Sequence, residues 1–342
     1  MNIVYHSSDG FVGITSASIV SLLENNKDAE DIVIYYINRD ITKDNKKLLS
    51  SMVHKYGRDI QFIDMPNWSE KYNVNLSSTL KRWPGFGYNR LFITELLPES
   101  IDRVIYLDSD TIIEGSLKEL WELDFEDCYE AAVDDCLSKK YRKVVHLKGD
   151  GVYCNNGVLV LNLKKFREDN VIKTFLAFIV KYKGFFVYNE QTILNSVFEN
   201  KIKVLPLKYN VYTLVYAFSY KQLMALRKPY KYSYSQQEYE EAKNAPVITH
   251  YTGCFMVNKR PWVQGSEHPH VDAYLKYKEM TPWAKEPLHQ DKRGAIDKIS
   301  EKSIKILPKD LVVVIASMIY TELRLVLFEI RKRKCLKETK KR

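Results

Sequence analysis

Two carboxylates one residue apart are the first side chains in this sequence whose types and spacing could do chemistry. Asp108 and Asp110 follow the apolar run 104–107 in the stretch "IYLDSD". In an extended chain, residues i and i+2 point the same way, so these carboxylates would face one side about 7 Å apart. Like charges that close repel each other, and burial adds a further penalty. The pair is therefore best tolerated where a cation or a positively charged ligand neutralises it.

His250 is a third candidate ligand, because it ends another predicted strand, in "APVITHYTG". Two carboxylates and one imidazole suit Mn²⁺, whereas the nitrogen ligand makes Mg²⁺ the less favoured ion. Two phosphate oxygens from a bound ligand would complete a roughly octahedral shell. An Asp-x-Asp pair alone is a weak signal, and a lone histidine is more often structural. The prediction therefore rests on the shared position of the three residues at strand ends.

The elements that must position these residues alternate along the first 130 residues. Strand-like "NIVYHS", "DIVIYYI", "IQFIDM" and "DRVIYLDSDTII" are separated by helix-like "ITSASIVSLLENN", "TKDNKKLLSSMVHKYG" and "YNRLFITELLP". This rhythm predicts right-handed βαβ crossovers and an α/β domain with a mostly parallel sheet flanked by helices. Ligands of such sheets bind beyond the carboxyl ends of the strands, where Ser7, Asp9 and Asp108 stand.

The second half of the chain is less regular, and it contains no internal repeat. We predict helices in "VIKTFLAFIVKYK", "NEQTILNSVFEN" and "HPHVDAYLKYKEM", and a buried strand in "YCNNGVLVLNLKKF". The first strand-to-helix turn, "HSSDGFVG", lacks the G-x-G-x-x-G of dinucleotide-binding sheets, and the chain contains no P-loop. Both of those common phosphate sites are therefore disfavoured.

Composition and charge narrow the class of protein further. The five cysteines lack a CxxC spacing, and the opening "MNIVYHSSDG" lacks the features of a secretory signal. We therefore expect a cytoplasmic protein without a disulfide framework or a zinc site. Of the formal net charge of +9, the tail "RKRKCLKETKKR" contributes +7, so the rest of the chain is nearly neutral. This distribution argues against nucleic acid as a partner and for a local electrostatic anchor.

Seven motifs in consistent order, from the first residue to about Trp262, resemble glycosyltransferase family 8. They are the opening strand with "SSDGF", then "YNRLFI", "VIYLDSDTII", "AAVDD", "NNGVLVLNLKKF", "NEQTILN" and "HYTG…KRPW". The family comprises retaining nucleotide-sugar transferases, among them bacterial lipopolysaccharide galactosyl- and glucosyltransferases and glycogenin. The resemblance implies one GT-A-type catalytic domain over residues 1–284, with Mn²⁺ and a UDP-sugar at the carboxyl edge of the sheet.

The resemblance also implies roles for the matched residues, beginning with Asp108, Asp110 and His250 as the metal ligands. Phe11 stands in the position that stacks on uracil, and Arg90 in that of an arginine that contacts the donor sugar and phosphate. The residues that would bind the UDP-sugar are Ser7, Ser8, Asp9, Phe11, Arg90, Asp108, Ser109, Asn155, Gly253, Lys259 and Arg260.

Two cations of "KRPW" match the family's leaving-group site, where a lysine touches the departing phosphates. Arg260 takes that place, with Lys259 as its neighbour, and together with the metal they would clamp the diphosphate. Asp134 and Asn155 match residues that hydrogen-bond the hydroxyls of the donor sugar.

The motif "NEQT" stands where the family usually has D-Q-D, so Glu190 keeps the first carboxylate and Gln191 keeps the amide, while Thr192 replaces the second acid. In this family the amide lies near the anomeric carbon, opposite the leaving group. An amide is a poor nucleophile, so we favour front-face attack, in which the departing diphosphate takes the acceptor's proton, over a covalent glycosyl-enzyme. The predicted catalytic residues are Gln191, Glu190 and Asp134.

The end of the chain is interpreted as a charged linker, residues 285–308, followed by an amphipathic, basic segment, residues 309–342. We expect its apolar run to be too interrupted to span a bilayer. On a helix, one polar stripe would contain Asp310, Ser317, Thr321, Arg324 and Arg331, with apolar residues on the other faces. Such a helix beside a cationic tail suits an anionic membrane surface. The alternative is a helix packed on the protein's own core.

Taken together, the residues and the resemblance predict a retaining, Mn²⁺-dependent glycosyltransferase on the inner face of the membrane. It would transfer glucose or galactose from a UDP-sugar to a cell-surface glycan: lipopolysaccharide, capsule, exopolysaccharide or glycoprotein. One alternative is a Mg²⁺-dependent phosphotransferase of the haloacid dehalogenase type, but its motif favours Thr or Val where Ile112 stands, and three strands precede Asp108. The other alternative is a non-catalytic module that binds the membrane surface.

Overall fold

The structure is a computed structural model that describes residues 1–74, 76, 86–257 and 259–339. Its strands are β1 (Asn2–Ser8), β2 (Val33–Arg39), β3 (Asp59–Asp64), β4 (Arg103–Leu107), β5 (Thr111–Ile113), β6 (Glu130–Asp134), β7 (Cys154–Asn162), β8 (Ile202–Val204), β9 (Val211–Tyr212) and β10 (Ile248–His250). Its helices are α1 (Val12–Glu24), α2 (Lys43–His54), α3 (Trp68–Lys71), α4 (Lys118–Trp121), α5 (Leu163–Glu168), α6 (Val171–Lys181), α7 (Asn189–Val197), α8 (Thr213–Ala217), α9 (Tyr220–Arg227), α10 (Gln236–Asn244), α11 (Val271–Lys278), α12 (Ala295–Ile306), α13 (Lys309–Met318) and α14 (Arg324–Thr339).

The larger sheet has seven strands in the order β3-β2-β1-β4-β7-β6-β8. Strands β3, β2, β1 and β4 run parallel, and β8 runs parallel to β6, whereas β7 is antiparallel to both of its neighbours. The predicted α/β fold with a mostly parallel sheet is therefore confirmed. Strands β5, β10 and β9 form a second sheet of three strands.

Helices cover both faces of the larger sheet, and alternate residues of β1 enter different hydrophobic clusters. Ile3 and Tyr5 pack with α1, α2 and α11, whereas Val4 packs with α5, α6 and α7. Burial on both faces explains why the central strands read as nearly continuous apolar runs. The predicted helices in the second half of the chain are present as α6, α7 and α11.

Two predicted elements are wrong in detail. The stretch "DRVIYLDSDTII" is not one strand, because the chain turns at Asp108–Asp110 between β4 of the larger sheet and β5 of the smaller one. The stretch "YNRLFITELLP" is not an α-helix and instead forms the 3₁₀ turns Phe86–Arg90 and Ile93–Glu95. Its polar residues are held by tertiary contacts: the buried Asn89 accepts a hydrogen bond from Trp68 (Nε1 to Oδ1, 2.7 Å). An apolar periodicity does not reveal such contacts.

The predicted linker, residues 285–308, is partly helical and partly tied to the body of the protein. It contains α12, and before that helix the backbone N–H of Gln264 donates to the carbonyl of His289 at 2.9 Å. After Pro308, helix α13, the π-helical turn Ile319–Leu323 and α14 follow without a break.

This C-terminal helix turns part of its polar stripe inward. Ser317 and Thr321 are only 2% and 1% exposed, together with the buried Val312 and Val313. Many apolar residues of the helix are instead about half-exposed: Leu311, Val314, Ile315, Met318, Ile319, Leu323, Val326, Leu327 and Ile330. The apolar face that the sequence predicts is thus left uncovered by the protein itself.

By length and composition, the helix Lys309–Lys334 is apolar enough to cross a membrane, with a mean hydropathy of 2.0 over its most apolar window. The expectation that polar residues interrupt the run too strongly is therefore wrong by this measure. Of that window, 28% is buried against the rest of the protein. A helix that spanned a bilayer would have to give up these contacts, whereas a helix lying in the surface would keep them.

Candidate active site

The turn after β4 and the end of β10 bring the three predicted metal ligands together. A carboxylate oxygen from each of Asp108 and Asp110 and a ring nitrogen of His250 lie within 4.8 Å of one another. The imidazole Nε2 is 3.3 Å from Asp110 Oδ1 and 3.7 Å from Asp108 Oδ2. Backbone hydrogen bonds hold the turn in place, from Asp108 N to Gly157 O and from Tyr251 N to Asp110 O. The carboxylates therefore converge although they do not lie on one extended strand.

The imidazole of His250 is oriented by an asparagine that the sequence analysis did not identify. Nδ1 of His250 lies 2.9 Å from Oδ1 of Asn210, and Asn210 Nδ2 donates to Asn155 Oδ1 at 2.9 Å. With its amide set in this way, Asn210 Oδ1 accepts a hydrogen bond from Nδ1–H, which leaves Nε2 of the neutral ring unprotonated towards the carboxylates. That tautomer is the one that binds a metal through Nε2.

Gly157 of β7 makes room for this ring. A Cβ built at Gly157 would lie 2.0 Å from Cε1 of His250, far closer than any real contact. The side-chain set of two carboxylates and one unprotonated imidazole nitrogen fits a divalent cation that accepts both oxygen and nitrogen ligands.

Each carboxylate of the pair also has an arginine of its own. Arg90, which is 3% exposed, pairs with Asp108 and also donates from Nη1 to Glu190 Oε1 at 3.1 Å. Arg260 donates from Nη1 to Asp110 Oδ2 at 2.7 Å. Positive charge therefore offsets the acidic pair on two sides, which allows the two carboxylates to lie close together.

Burial and the neighbouring groups shift the pKa values of Asp108 and Asp110 in opposite directions. Burial raises the pKa of Asp108 above its ordinary value, and the opposing charge of Arg90 does not overcome it. For Asp110, burial acts in the same direction, but the interactions with His250 and with the positive charge of Arg260 prevail and lower the pKa to about 2.

Glu190 and Gln191, at the start of α7, take different partners. The side chain of Glu190 lies over Gly87, where a Cβ would come within 2.2 Å of its carboxyl carbon. Gln191 is bonded at both ends of its amide: Nε2 donates to Asp135 Oδ2 at 3.1 Å, and Oε1 accepts from the backbone N–H of Asn156 at 3.3 Å. The orientation of this amide is therefore fixed.

The motif "AAVDD" contributes its second aspartate to this group rather than its first. Asp135 Oδ1 accepts from Asn155 Nδ2 at 3.2 Å and Oδ2 accepts from Gln191, so Asp135 joins both residues. Asp134, the predicted catalytic residue, instead accepts from the backbone N–H of Cys136 and from Ser233 N and Oγ. Burial raises its pKa to about 6. Asp134 is thus buried and binds the backbone at Cys136 and Ser233, whereas Asp135 lies with Asn155 and Gln191 at the candidate site.

Alternation along an extended chain accounts for this difference. Ala132 and Val133 pack in different hydrophobic clusters, so successive side chains of β6 point to opposite faces of the sheet. The pairing with β7 slips between Ala132 and Val133, but the unpaired residues, 156–158, belong to β7. The sequence alone does not show which of the two adjacent aspartates faces the site.

Most of the residues predicted to bind the nucleotide lie at the first strand-to-helix turn, and they differ in how far their polar groups are already hydrogen-bonded within the protein. Ser7 is buried and its Oγ lies 2.6 Å from the hydroxyl of Tyr36, while the carbonyl of Ser8 accepts from Ser7 at 3.1 Å. Ser109 Oγ donates to the carbonyl of His6. The hydroxyls of Ser7 and Ser109 therefore already have partners within the protein.

Asp9 and Phe11 lie at the rim of this turn. Asp9 Oδ1 accepts from Thr42 N at 2.9 Å and from Asn45 Nδ2 at 2.8 Å, bonds that lower the pKa of Asp9. Phe11 meets Trp262 edge to face, with ring centroids 6.1 Å apart. A cavity of about 240 Å³ next to Asp9 is also lined by Trp262, Tyr274 and Trp283.

In the loop after β10, Arg260 rather than Lys259 contacts the acidic pair. A Cβ at Gly265 would lie 3.2 Å from Lys259 Nζ, which places that amine beside Gly265. A Cβ at Gly253 would lie 3.9 Å from Arg260 Nη2, so Gly253 stands next to the arginine. Asn258, between these residues, lies outside the described ranges.

Comparisons with known proteins agree with this geometry. The sequence profile of the Glycosyl transferase family 8 matches residues 2–264. The "Lipopolysaccharide 1,2-glucosyltransferase" of Escherichia coli is 30% identical over 281 residues, which cover 79% of this chain and 75% of that protein. "General stress protein A" of Bacillus subtilis (strain 168) is 27% identical over 286 residues, 83% of this chain and 94% of that protein. The crystal structure of the galactosyltransferase LgtC with donor and acceptor sugar analogs matches with a TM-score of 0.67 at 24% identity, over 82% of this chain and 96% of that one; that likeness shows the fold.

Proposed function

The chain belongs to glycosyltransferase family 8 and has a GT-A fold, and from this premise we propose that it transfers a hexose from a UDP-sugar with retention of configuration. The observation that supports the proposal is the placement of two groups of side chains side by side. Asp108, Asp110 and His250 offer ligand atoms to a cation, and the network of Asn155, Asp135 and Gln191 continues from His250 through Asn210. A metal-bound diphosphate and the sugar that it carries would occupy these two neighbouring places.

Asp108, Asp110 and His250 would hold the cation, and their ligand set favours Mn²⁺ over Mg²⁺. When bound, such an ion neutralises charge that develops on a departing diphosphate. Arg260 would provide a second positive charge for the same group, because it already lies beside Asp110 and can turn to a phosphate oxygen. Arg90 pairs with both Asp108 and Glu190 and would hold the two carboxylates in fixed positions.

The geometry of Gln191 supports front-face attack over a covalent intermediate. Its amide oxygen already accepts a hydrogen bond from Asn156, which makes it a still poorer nucleophile. In the proposed reaction the acceptor oxygen forms the new bond to the anomeric carbon as the bond to the diphosphate breaks. The departing diphosphate oxygen takes the acceptor's proton. Asp135, Asn155 and Gln191 would bind the sugar hydroxyls and hold the anomeric carbon in place.

The acceptor in this proposal is a cell-surface glycan, and the enzyme acts on the cytoplasmic face of the membrane. The support is the uncovered apolar face of the helix Lys309–Lys334 and the +7 charge of the last twelve residues. An in-plane helix with adjacent cations binds anionic lipid through both apolar burial and charge. Neither a phosphotransferase nor a non-catalytic module has an observation in its favour.

The proposal is tested by nucleotide binding and by the product. In differential scanning fluorimetry, UDP should raise the melting temperature only when Mn²⁺ is present, whereas GDP and ADP should raise it less. Hydrolysis of a UDP-sugar panel without acceptor would then identify the donor. The anomeric proton in the NMR spectrum of the product should report an α linkage from an α-linked donor. Stabilisation by UDP without any divalent cation, or a β product, would contradict the proposal.

A further inference from the structure

A groove of about 380 Å³ separates the C-terminal helix from the loop that follows β10. Its volume lies in the range of small-ligand sites. Its walls are mainly apolar, and they come from α8, α9, α12, α13 and the segment 253–255. The apolar lining residues that matter here are Leu226, Phe255, Leu307, Val312, Ile315 and Ile319. We call this cavity the acceptor groove.

Two arginines line the acceptor groove and share one aromatic support. The guanidinium carbon of Arg227 lies 4.4 Å from the ring centroid of Tyr320, and that of Arg324 lies 5.9 Å from the same ring and 5.1 Å from Tyr188. Tyr320 in turn stacks on Tyr141, with centroids 4.7 Å apart. Cation–π contacts of this kind hold guanidinium groups in position without neutralising them.

Neither of these guanidinium groups forms an ion pair or a hydrogen bond with any part of the chain that the structure describes. The arginines of the metal site differ in this respect, because Arg90 and Arg260 are both paired with carboxylates. Two adjacent, unpaired guanidinium groups beside apolar walls form a site for an anion that is attached to something apolar.

The acceptor groove is next to the groups that would hold the donor sugar. Burial raises the pKa of Asp135, and Arg227 is the strongest opposing charge, so the two residues lie within range of an electrostatic interaction. Asp135 accepts a hydrogen bond from Gln191. Gly253 lines the groove and also stands beside Arg260. An anion held by the two arginines would therefore lie close to the transferred sugar.

At its other side the acceptor groove joins the uncovered apolar face of the C-terminal helix. Ile315 and Ile319 line the groove and are 42% and 51% exposed, and Leu307 of the rim is 41% exposed. A hydrocarbon chain could pass from a membrane surface into the groove along these side chains without crossing a polar strip.

We propose that the acceptor groove binds a lipid-linked acceptor, in which a phosphate or diphosphate joins the growing glycan to a hydrocarbon chain. The phosphate lies between Arg227 and Arg324, the hydrocarbon chain lies along α13, and the glycan extends towards Asp135. This inference deepens the proposed function and rests on it, because it names the chemical class of the acceptor for the same site. The phosphate of a bulk membrane lipid is the other source of this chemistry, and the experiment separates the two.

The test measures binding of dodecyl phosphate, below its micelle concentration, to the full chain saturated with UDP and Mn²⁺. Saturation removes the metal site as a competing phosphate site. We expect at least tenfold tighter binding of dodecyl phosphate than of uncharged dodecyl maltoside. We expect Arg324→Gln to lower the affinity for dodecyl phosphate about tenfold, and Arg324→Lys to restore part of it. Arg324 is exposed and its contacts with Tyr188 and Tyr320 are cation–π contacts at the surface, so we expect both variants to fold and to melt close to the wild-type temperature.

Two controls make the result specific. Arg331→Gln with Lys332→Gln removes two cations from the same helix outside the groove, and it should weaken flotation with phosphatidylglycerol vesicles while leaving dodecyl phosphate binding unchanged. Ala316→Trp should fill the groove and abolish dodecyl phosphate binding. Equal affinity for the two amphiphiles, or an Arg324→Gln variant that loses only vesicle flotation, would overturn the proposal. The thermal shift by UDP and Mn²⁺ is recorded on the same samples, so a failure of the donor site is seen separately from a failure of the groove.

Discussion

At the scale of single residues, the site is a set of charges held in balance before any ligand arrives. The acidic pair is offset by Arg90 on one side and Arg260 on the other, and His250 is directed by a hydrogen bond of its own. Only Arg260 is a surface-loop residue that can leave its carboxylate at little cost, so it is the group best placed to follow a diphosphate.

Asp110→Asn should remove metal-dependent nucleotide binding while keeping the fold. The substitution takes away one of the two carboxylate charges among the three ligands, and metal coordination contributes several kcal/mol to such transfers, so we expect activity to fall by about 10²-fold or more. The measurement is the thermal shift by UDP with and without Mn²⁺, together with donor hydrolysis. The exposed Asp28→Asn is the matched control and should behave as wild type. Near-normal turnover in Asp110→Asn would show that the metal site is elsewhere.

Substitution of the two aspartates of "AAVDD" should have different effects, on activity for Asp135 and on stability for Asp134. Asp135→Asn should reduce donor hydrolysis and destabilise the fold less than Asp134→Asn, because Asp135 connects Asn155 and Gln191 and is less buried than Asp134. Asp134→Asn should instead lower the free energy of unfolding by about 1–3 kcal/mol, because the amide nitrogen cannot accept and leaves a buried donor of Ser233 or Cys136 without its partner. Urea unfolding and hydrolysis rates on the same preparations distinguish the two. A stable but inactive Asp134→Asn would reverse the assignment.

At the scale of elements, the site depends on how strands of the two sheets meet. Strand β7 runs antiparallel between β4 and β6, and its Gly157 passes directly beneath the histidine that ends β10. The glycine is needed for close approach rather than for an unusual backbone angle. The contact therefore couples the register of the larger sheet to the ligand carried by the smaller one.

Gly157→Ala should displace His250 and weaken the metal site. A new methyl group 2.0 Å from the imidazole cannot be accommodated unless the ring or the strand shifts. We expect the Mn²⁺-dependent thermal shift by UDP to fall or vanish, with some loss of stability. Gly115→Ala, whose Cβ would meet Val247 at an ordinary 3.4 Å, is the matched control. Unchanged metal dependence in Gly157→Ala would mean that the imidazole is not a ligand.

The first residue of β6 should make stability depend on pH. Glu130 is fully buried, and neither carboxylate oxygen has a partner among the described residues. Burial raises its pKa to about 8, against the opposing charge of Arg90. The folded pKa is raised, so the stability due to protonated Glu130 is complete below pH about 4.5 and is lost as the pH rises through about 8.

Glu130→Gln should therefore gain stability relative to wild type as the pH rises from 5 to 9. The change in the difference of unfolding free energy should be on the order of a few kcal/mol, since each pKa unit corresponds to about 1.4 kcal/mol. Urea unfolding at pH 5, 7 and 9 gives the comparison, with the exposed Glu99→Gln as control. A difference that stays constant with pH would show that Glu130 ionises as an ordinary carboxyl.

At the scale of the whole molecule, the C-terminal helix packs on the body with one face and leaves an apolar face exposed. Its buried residues include Val313 and Thr321, and its exposed apolar residues include Val314 and Met318. Deleting the segment would not test membrane binding alone, because it would also remove the stacking of Tyr320 on Tyr141. Substitutions on the exposed face separate membrane binding from folding.

Val314→Glu with Met318→Glu should abolish flotation with anionic vesicles without lowering the melting temperature. Both residues are more than half exposed, so the protein itself loses little packing, whereas a membrane surface would have to bury two charges. Val180→Glu, at an exposed apolar residue of α6, is the matched control. We also expect wild-type protein to be released by high salt, as suits an in-plane helix. Retention after salt and alkaline extraction would instead indicate a spanning helix.

The sequence by itself determined the family, the α/β class and most of the residues at the site. Polar residues that follow apolar strands mark the ends of those strands locally, and in a parallel sheet these ends meet at one edge. Asp108, Asp110 and His250 could therefore be placed together without coordinates. The glycosyltransferase motifs in register added the expectation of a UDP-sugar donor.

Only the tertiary structure showed which of two neighbouring residues contacts the rest of the candidate site. Asp135 rather than Asp134 is hydrogen-bonded to Gln191, and Asn210, which belongs to none of the motifs, directs His250. It also decided that the C-terminal helix buries part of its polar stripe and exposes its apolar face. These outcomes depend on contacts between residues far apart in the chain, where side-chain direction follows from packing and strand register, and local periodicity carries no record of either.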